Sequence, residues 1–160
     1  MRSFDWSEGL SRACHEAGHV LAGYLLDLRV LSSKLPPAGG GGETEIDFGD
    51  DQRKRALVSF AGLHCQQKFD QQHVTSTDWV RERYDDSASD RSDAIFAVRM
   101  LVEKMHVPTE SETLLALSYE SQTLIQADEY WARVKQIADA LYDNYYLDEE
   151  AISLLFLEEN

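Results

Sequence analysis

The sequence predicts a mainly α fold with one short β-hairpin between the first two helices. Apolar residues recur every three or four positions over long stretches, as they do on the buried side of a helix. Residues 29–48 differ, because a Pro-Pro pair and a run of glycines separate two short runs typical of strands. At 160 residues the chain is long enough for one hydrophobic core. We therefore expect a single domain over residues 1–160.

The boundaries of the elements follow from apolar spacing and from residues that cap helix ends. The expected strands are Arg29–Leu35 and Glu43–Phe48. Residues 71–88 are polar and irregular, and a loop of that length in a small domain is often functional. The predicted helices are residues 6–27 after an Asp5–Glu8 capping box, residues 52–70 after Asp50 or Asp51, a helix from Ser89 that Pro108 ends, a helical region from Thr109 to about Tyr145 with a break near Ala127, and a short helix after Asp148.

Charge and composition exclude several classes of function. The formal net charge is −14, from 15 Lys and Arg against 29 Asp and Glu, so nucleic acid is an unsuitable partner. No run approaches the roughly 18 apolar residues that cross a bilayer, and the start of the sequence lacks the apolar segment of a signal peptide. We expect no membrane span and a cytoplasmic location, where Cys14 and Cys65 are reduced core residues.

The most informative segment is Cys14-His15-Glu16-Ala17-Gly18-His19. Residues four apart lie on the same face of a helix, so His15 and His19 can bind one zinc ion. Glu16 then has the position of the general base that activates a water on the zinc. A catalytic zinc needs a third protein ligand, and the extended motif that would supply one fails because Ala22 and Leu25 occupy its positions. The third ligand must come from a distant part of the chain.

Residues 13–21 resemble the zinc helix of the peptidase domain of the FtsH family, the membrane-anchored AAA+ zinc proteases. Residues 61–69 are similar to that family's Gly-Gly-Arg-Ala-Ala-Glu-Glu helix, residues 87–90 to its Gly-Ala-Ser-Asn-Asp helix start, and residues 147–152 to its closing helix. The resemblance implies a helical zincin-type peptidase fold in which Asp90, the last residue of the Asp-containing motif, is the third zinc ligand.

The resemblance further implies a zinc metalloendopeptidase that hydrolyses peptides or unfolded proteins, with Glu16 as the catalytic residue. The chain departs from the family in having no Gly-x-x-x-x-Gly-Lys-Ser/Thr phosphate loop, and Gln66 and Gln67 replace two glutamates. As an isolated chain it is therefore expected to act without ATP, as a monomer or small oligomer. The alternative is a non-catalytic zinc-binding interaction or regulatory module that serves a separate protein partner.

Several residues compete for roles at this site. Asp86 and Asp93 lie close enough to Asp90 in sequence to replace it as the ligand, and His73 in the long loop can approach the metal. The group that stabilises the oxyanion stays open between Tyr84, His73 and backbone amides of the hairpin.

Overall fold

The computed structural model describes residues 6–36, 41–73, 88–105 and 109–157. These residues are mainly helical with a small antiparallel sheet, which confirms the predicted fold class. Asp5 and most of the predicted loop lie outside the described residues. The elements are α1 (Trp6–Leu25), β1 (Arg29–Lys34), β2 (Glu43–Asp47), α2 (Gln52–His73), α3 (Ala88–Met105), α4 (Glu110–Leu124), α5 (Asp128–Asn144), β3 (Tyr146–Asp148) and α6 (Glu149–Leu157).

The helix boundaries follow the capping residues closely. The side chain of Asp51 accepts a hydrogen bond from the amide of Lys54 at 2.9 Å, and Asp148 accepts one from the amide of Ala151 at 2.8 Å. The long helical region divides at residues 125–127, where the break was predicted. The second helix runs to His73, three residues further than predicted, because no glycine or proline ends it at residue 70.

The sheet has the strand order β2-β1-β3, and β3 was not predicted. Tyr145 ends α5 in the left-handed conformation, with a φ of 61°, and its carbonyl accepts a hydrogen bond from the amide of Leu35 at 2.8 Å. The next three residues then pair antiparallel with β1. A strand of three residues is too short for a period-two pattern, so only pairing with β1 reveals it.

The packing of α1 against α2 is unusually close at one point. A Cβ atom built on Gly18 would lie 2.7 Å from the carbonyl oxygen of Ala61 and 2.9 Å from the sulfur of Cys65. Ala61, the residue that Gly18 meets, is also small and is fully buried. The two helix backbones approach each other here because glycine and alanine leave room for them.

A second apolar cluster holds α3 against α2. Ala56 and Leu57 of α2 pack there with Ala97 and Val98 of α3 and with Leu117 of α4, and all five are buried. Because α2 contacts both α1 and α3, it sets the distance between the two histidines of α1 and the start of α3.

Cys14 and Cys65 are buried free thiols of the main core, as predicted. Burial raises the pKa of Cys65 to about 12 and also raises the pKa of Cys14. Within the described ranges, no helix combines the length and the hydropathy needed to cross a bilayer.

We predict that Gly18→Ala destabilises the fold. Overpacking typically costs about 1–3 kcal/mol, and here the obstacle is backbone, which cannot rotate away. Alanine regains roughly 1 kcal/mol over glycine through its helix propensity. The expected net loss is therefore up to about 2 kcal/mol in the free energy of unfolding, measured by urea denaturation. Gly41→Ala is the matched control, because nothing lies within 4 Å of a Cβ there. Equal stability of the two variants would contradict the close contact.

Candidate metal centre

His15 and His19 lie one turn apart on the same face of α1, as the sequence predicted. Their ring centroids are 4.7 Å apart, the rings meet edge to face, and both residues are buried. A pair of imidazoles without a ligand is costly to bury unless their nitrogens find hydrogen-bond partners. The other helices supply those partners.

One nitrogen of each ring hydrogen-bonds to α2. Nδ1 of His15 lies 2.8 Å from Oε1 of Gln66, and Nδ1 of His19 lies 2.8 Å from the carbonyl oxygen of Val58. A carbonyl oxygen only accepts, so Nδ1 of His19 carries a proton. In the neutral imidazole the lone pair is then on Nε2. Such partners commonly orient metal-binding histidines.

The two Nε2 atoms face the carboxylate of Asp90, in the first turn of α3. Nε2 of His15 lies 2.6 Å from Oδ2, and Nε2 of His19 lies 3.5 Å from Oδ1. One donor atom from each of the three residues lies within 4.8 Å of the other two, which is close enough for all three to hold one metal ion. The structure thus brings together the three residues that were named as ligands, although Asp90 is 75 positions from His15.

The competing candidates have different positions. Asp93 is exposed and lines the neighbouring cleft, but it does not belong to the three-residue cluster. Asp86 and Tyr84 lie outside the described residues, as does the side chain of His73. Among the candidates that the structure describes, only Asp90 meets both histidines.

The charges of the cluster are coupled. Burial by itself would lower the pKa of His19, but the hydrogen bond and the charge of Asp90 outweigh it and raise that pKa from 6.5 to about 9. Burial by itself would likewise raise the pKa of Asp90, but the two histidines hold that pKa well below its ordinary value. Without a metal, the cluster therefore keeps a proton on His19 beside an ionised Asp90 at neutral pH.

Glu16 is buried beside the cluster and has its own hydrogen-bond donor. Thr44 of β2 donates from Oγ1 to Oε2 of Glu16 at 2.6 Å. The same hydroxyl lies 2.9 Å from Oγ of Ser33, and since the proton of Thr44 is used, Ser33 is the donor in that pair. A Cβ on Gly42 would lie 2.5 Å from Cγ of Glu16, so the hairpin packs directly on this side chain.

Glu16, His19 and Asp90 open onto a cleft with a volume of about 390 Å³. The strand β2 forms one wall, and the start of α2 with the start of α3 forms the other. The remaining lining residues are Gly42, Glu43, Thr44, Glu45, Ile46, Phe48, Arg55, Val58, Ser59 and Asp93. The cluster is therefore accessible to a molecule larger than water.

Several residues of the site were missed from the sequence. Gln66 was noted only as a departure from the family, yet its carbonyl orients His15. Gly62 leaves the space that the ring of His19 occupies, since a Cβ there would lie 2.3 Å from Cε1 of that ring. The role of Thr44 could not be predicted, because threonine is common in strands and only the fold brings this one to Glu16.

In the comparisons with known proteins, no family model matches this sequence and no curated protein matches it.

We predict that Gly62→Ala weakens divalent-metal binding at least tenfold. The new methyl group would displace the ring of His19, and even losing a partner of a ligand commonly costs 10- to 100-fold in affinity. Titration against a chromophoric chelator measures the change. Gly41→Ala again serves as the control and should bind as the wild type does. Unchanged affinity in Gly62→Ala would exclude His19 as a ligand in the position described.

We also predict that metal affinity rises with pH up to about 9. The ion must displace the proton of His19, whose raised pKa makes that proton harder to remove at neutral pH. Between pH 7 and 9 the association constant should increase about tenfold per unit and then level off.

We predict that the stability of the metal-free protein falls as the pH rises, whereas metal affinity increases. The charged pair stabilises it fully below pH 6.5, and this stabilisation is lost as the pH rises through about 9. Thermal unfolding of the metal-free form across this range checks the sign, and Asp90→Asn should remove the dependence.

Proposed function

We propose that this chain is a zinc-dependent metalloendopeptidase in which His15, His19 and Asp90 hold the zinc and Glu16 is the general base. One observation carries the proposal. A buried carboxylate that is not part of the three-donor cluster lies directly beside it, at the wall of an open cleft. A purely structural zinc site has four protein ligands and no use for such a neighbour.

The donor set fits zinc. Two imidazole nitrogens and one carboxylate oxygen are the three protein ligands of a common class of catalytic zinc site. The hydrogen bonds of the two Nδ1 atoms leave both Nε2 atoms for an ion. Within the described ranges no fourth His, Cys, Asp or Glu joins the cluster, which supports an open coordination position.

Zinc held there would polarise a peptide carbonyl and lower the pKa of a water near it. Glu16 accepts the proton of the attacking water and delivers it to the leaving amine. The Thr44 hydroxyl occupies one oxygen of the Glu16 carboxylate and directs the other for this transfer. Burial of Glu16 under the hairpin keeps bulk water from competing for the proton.

The resemblance to the FtsH peptidase domain supports the same proposal, and membership of that family is part of it. The zinc-helix segment forms a helix, and the segments with Gly62 and Asp90 meet it at the cluster. Gln66 replaces a family glutamate, so a neutral amide orients His15 where the family has a carboxylate. We expect His15 to be a slightly weaker electron donor for this reason.

The test is zinc content and peptide cleavage in the wild type and in Glu16→Gln. Both proteins should bind one zinc ion, and only the wild type should cleave a mixed peptide library. Loss of a general base lowers kcat about 10²- to 10⁴-fold, while zinc affinity should stay within a few-fold. Asp93→Asn is the matched control, because it removes an exposed carboxylate of the same cleft and should keep both properties.

Other outcomes point elsewhere. Stoichiometric zinc without cleavage by the wild type would favour the non-catalytic zinc-binding module. A failure to bind zinc, together with tighter binding of another divalent ion, would contradict the zinc peptidase and the zinc module alike.

A further inference from the structure

We propose that Arg55 binds a carboxylate group of the substrate inside the cleft. The proposal rests on the proposed function, since it names the class of peptide that the cleft takes: one with a carboxylate close to the bond that is cleaved. The carboxylate is either the end of the peptide chain or the side chain of Asp or Glu. Arg55 is thereby a specificity-determining residue, distinct from the metal ligands and from the base.

Arg55 is the one arginine or lysine among the residues that line the described cleft. It lies in the first turn of α2, one turn before Val58, whose carbonyl orients His19. Its guanidinium carbon lies 5.2 Å from the centroid of the Phe48 ring, in the geometry of a cation–π contact. The aromatic ring holds the planar group in place at the wall of the cleft.

The hydrogen bonding of Arg55 is incomplete. Its Nε atom is buried and has no partner within the described parts of the chain. Other arginines of the same protein are paired, as in Arg29 with Glu149, Arg53 with Glu120 and Arg99 with Glu110. A buried donor without an acceptor is costly, and no described residue offsets that cost.

The unpaired state is notable in a chain with 29 acidic and 15 basic residues. Acidic side chains share the cleft with Arg55, yet no described carboxylate lies within ion-pair distance of it. A guanidinium offers two parallel donors that match the two oxygens of a carboxylate. The guanidinium of Arg55 therefore has no carboxylate partner among the described residues, and it lines the same cleft as His19 and Asp90.

The three exposed acidic residues of the cleft do not outweigh this attraction. Glu43 already pairs with Lys34, and both Glu45 and Asp93 are exposed, so water and salt screen their charges. Arg55 is half-buried, and charged hydrogen bonds strengthen where water is excluded. Exposed carboxylates at the rim slow the approach of an anion more than they weaken its contact with Arg55.

The experiment measures binding, separately from cleavage. The zinc-loaded Glu16→Gln protein is titrated with four short fluorescent peptides of one sequence: a free C-terminal carboxylate, its C-terminal amide, the amide with one internal glutamate, and the amide with one internal lysine. A carboxylate peptide should bind about 10- to 100-fold more tightly than the neutral amide, as a charge-assisted bidentate contact would give. Whether the free terminus or the glutamate gives the gain identifies the source of the group.

Adding Arg55→Gln should abolish the preference, and Arg55→Lys should keep only part of it because lysine has the charge without the fork. Arg53→Gln is the matched control, two residues away on the same helix and outside the cleft lining, and should keep the full preference. Thermal unfolding of each variant shows whether it is folded. If Arg55→Gln does not fold, the partial loss of preference in Arg55→Lys still tests the proposal.

The proposal is overturned if the peptides bind equally, if the lysine peptide binds best, if none binds, or if Arg55→Gln keeps the preference. These results are independent of catalysis. A wild type that cleaves nothing while the binding pattern holds would refute the peptidase and leave the role of Arg55. If the wild type cleaves peptides and a carboxylate has no effect on binding, the peptidase is supported and the role of Arg55 is refuted.

Discussion

The close contact between α1 and α2 at Gly18 and Ala61 is the constraint on which the site depends. Because no side chain separates the two backbones there, the rings of His15 and His19 reach hydrogen-bond acceptors on α2. Gly62 lies one residue after the contact and leaves the space that the ring of His19 fills. A wider separation would leave both rings buried without partners, which is the costly arrangement for a polar group.

The third member of the cluster depends on α2 in a different way. The apolar cluster of Leu57, Val98 and Leu117 fixes α3 against α2. This places the first turn of α3, with Asp90, opposite the two histidines. The carboxylate is balanced by the proton of His19 in the metal-free protein, so the site can stay folded before an ion arrives.

The small sheet and its hairpin surround Glu16. Ser33 and Thr44 form a hydrogen-bonded chain that ends on Glu16, and Gly42 allows the hairpin to cover that side chain. Phe48 follows β2, and its ring packs against the guanidinium of Arg55, which lines the same cleft. The helices therefore supply the three candidate metal donors, and the hairpin supplies the surroundings of the proposed base and of the proposed substrate contact.

The sequence by itself determined the helices, the hairpin and the pair of histidines, because these depend on spacing along one element. Helical periodicity and capping residues such as Asp51 and Asp148 act within a few positions, and His15 and His19 share a face by helix geometry alone. Asp90 could be named only through a resemblance, since no local pattern joins residues 75 positions apart. Only the tertiary structure decided the partners of each site residue, the strand β3 and the lack of a hydrogen-bond partner for the buried Nε of Arg55. Hydrogen bonds and packing across helices follow from distances in space, which the order of residues does not specify.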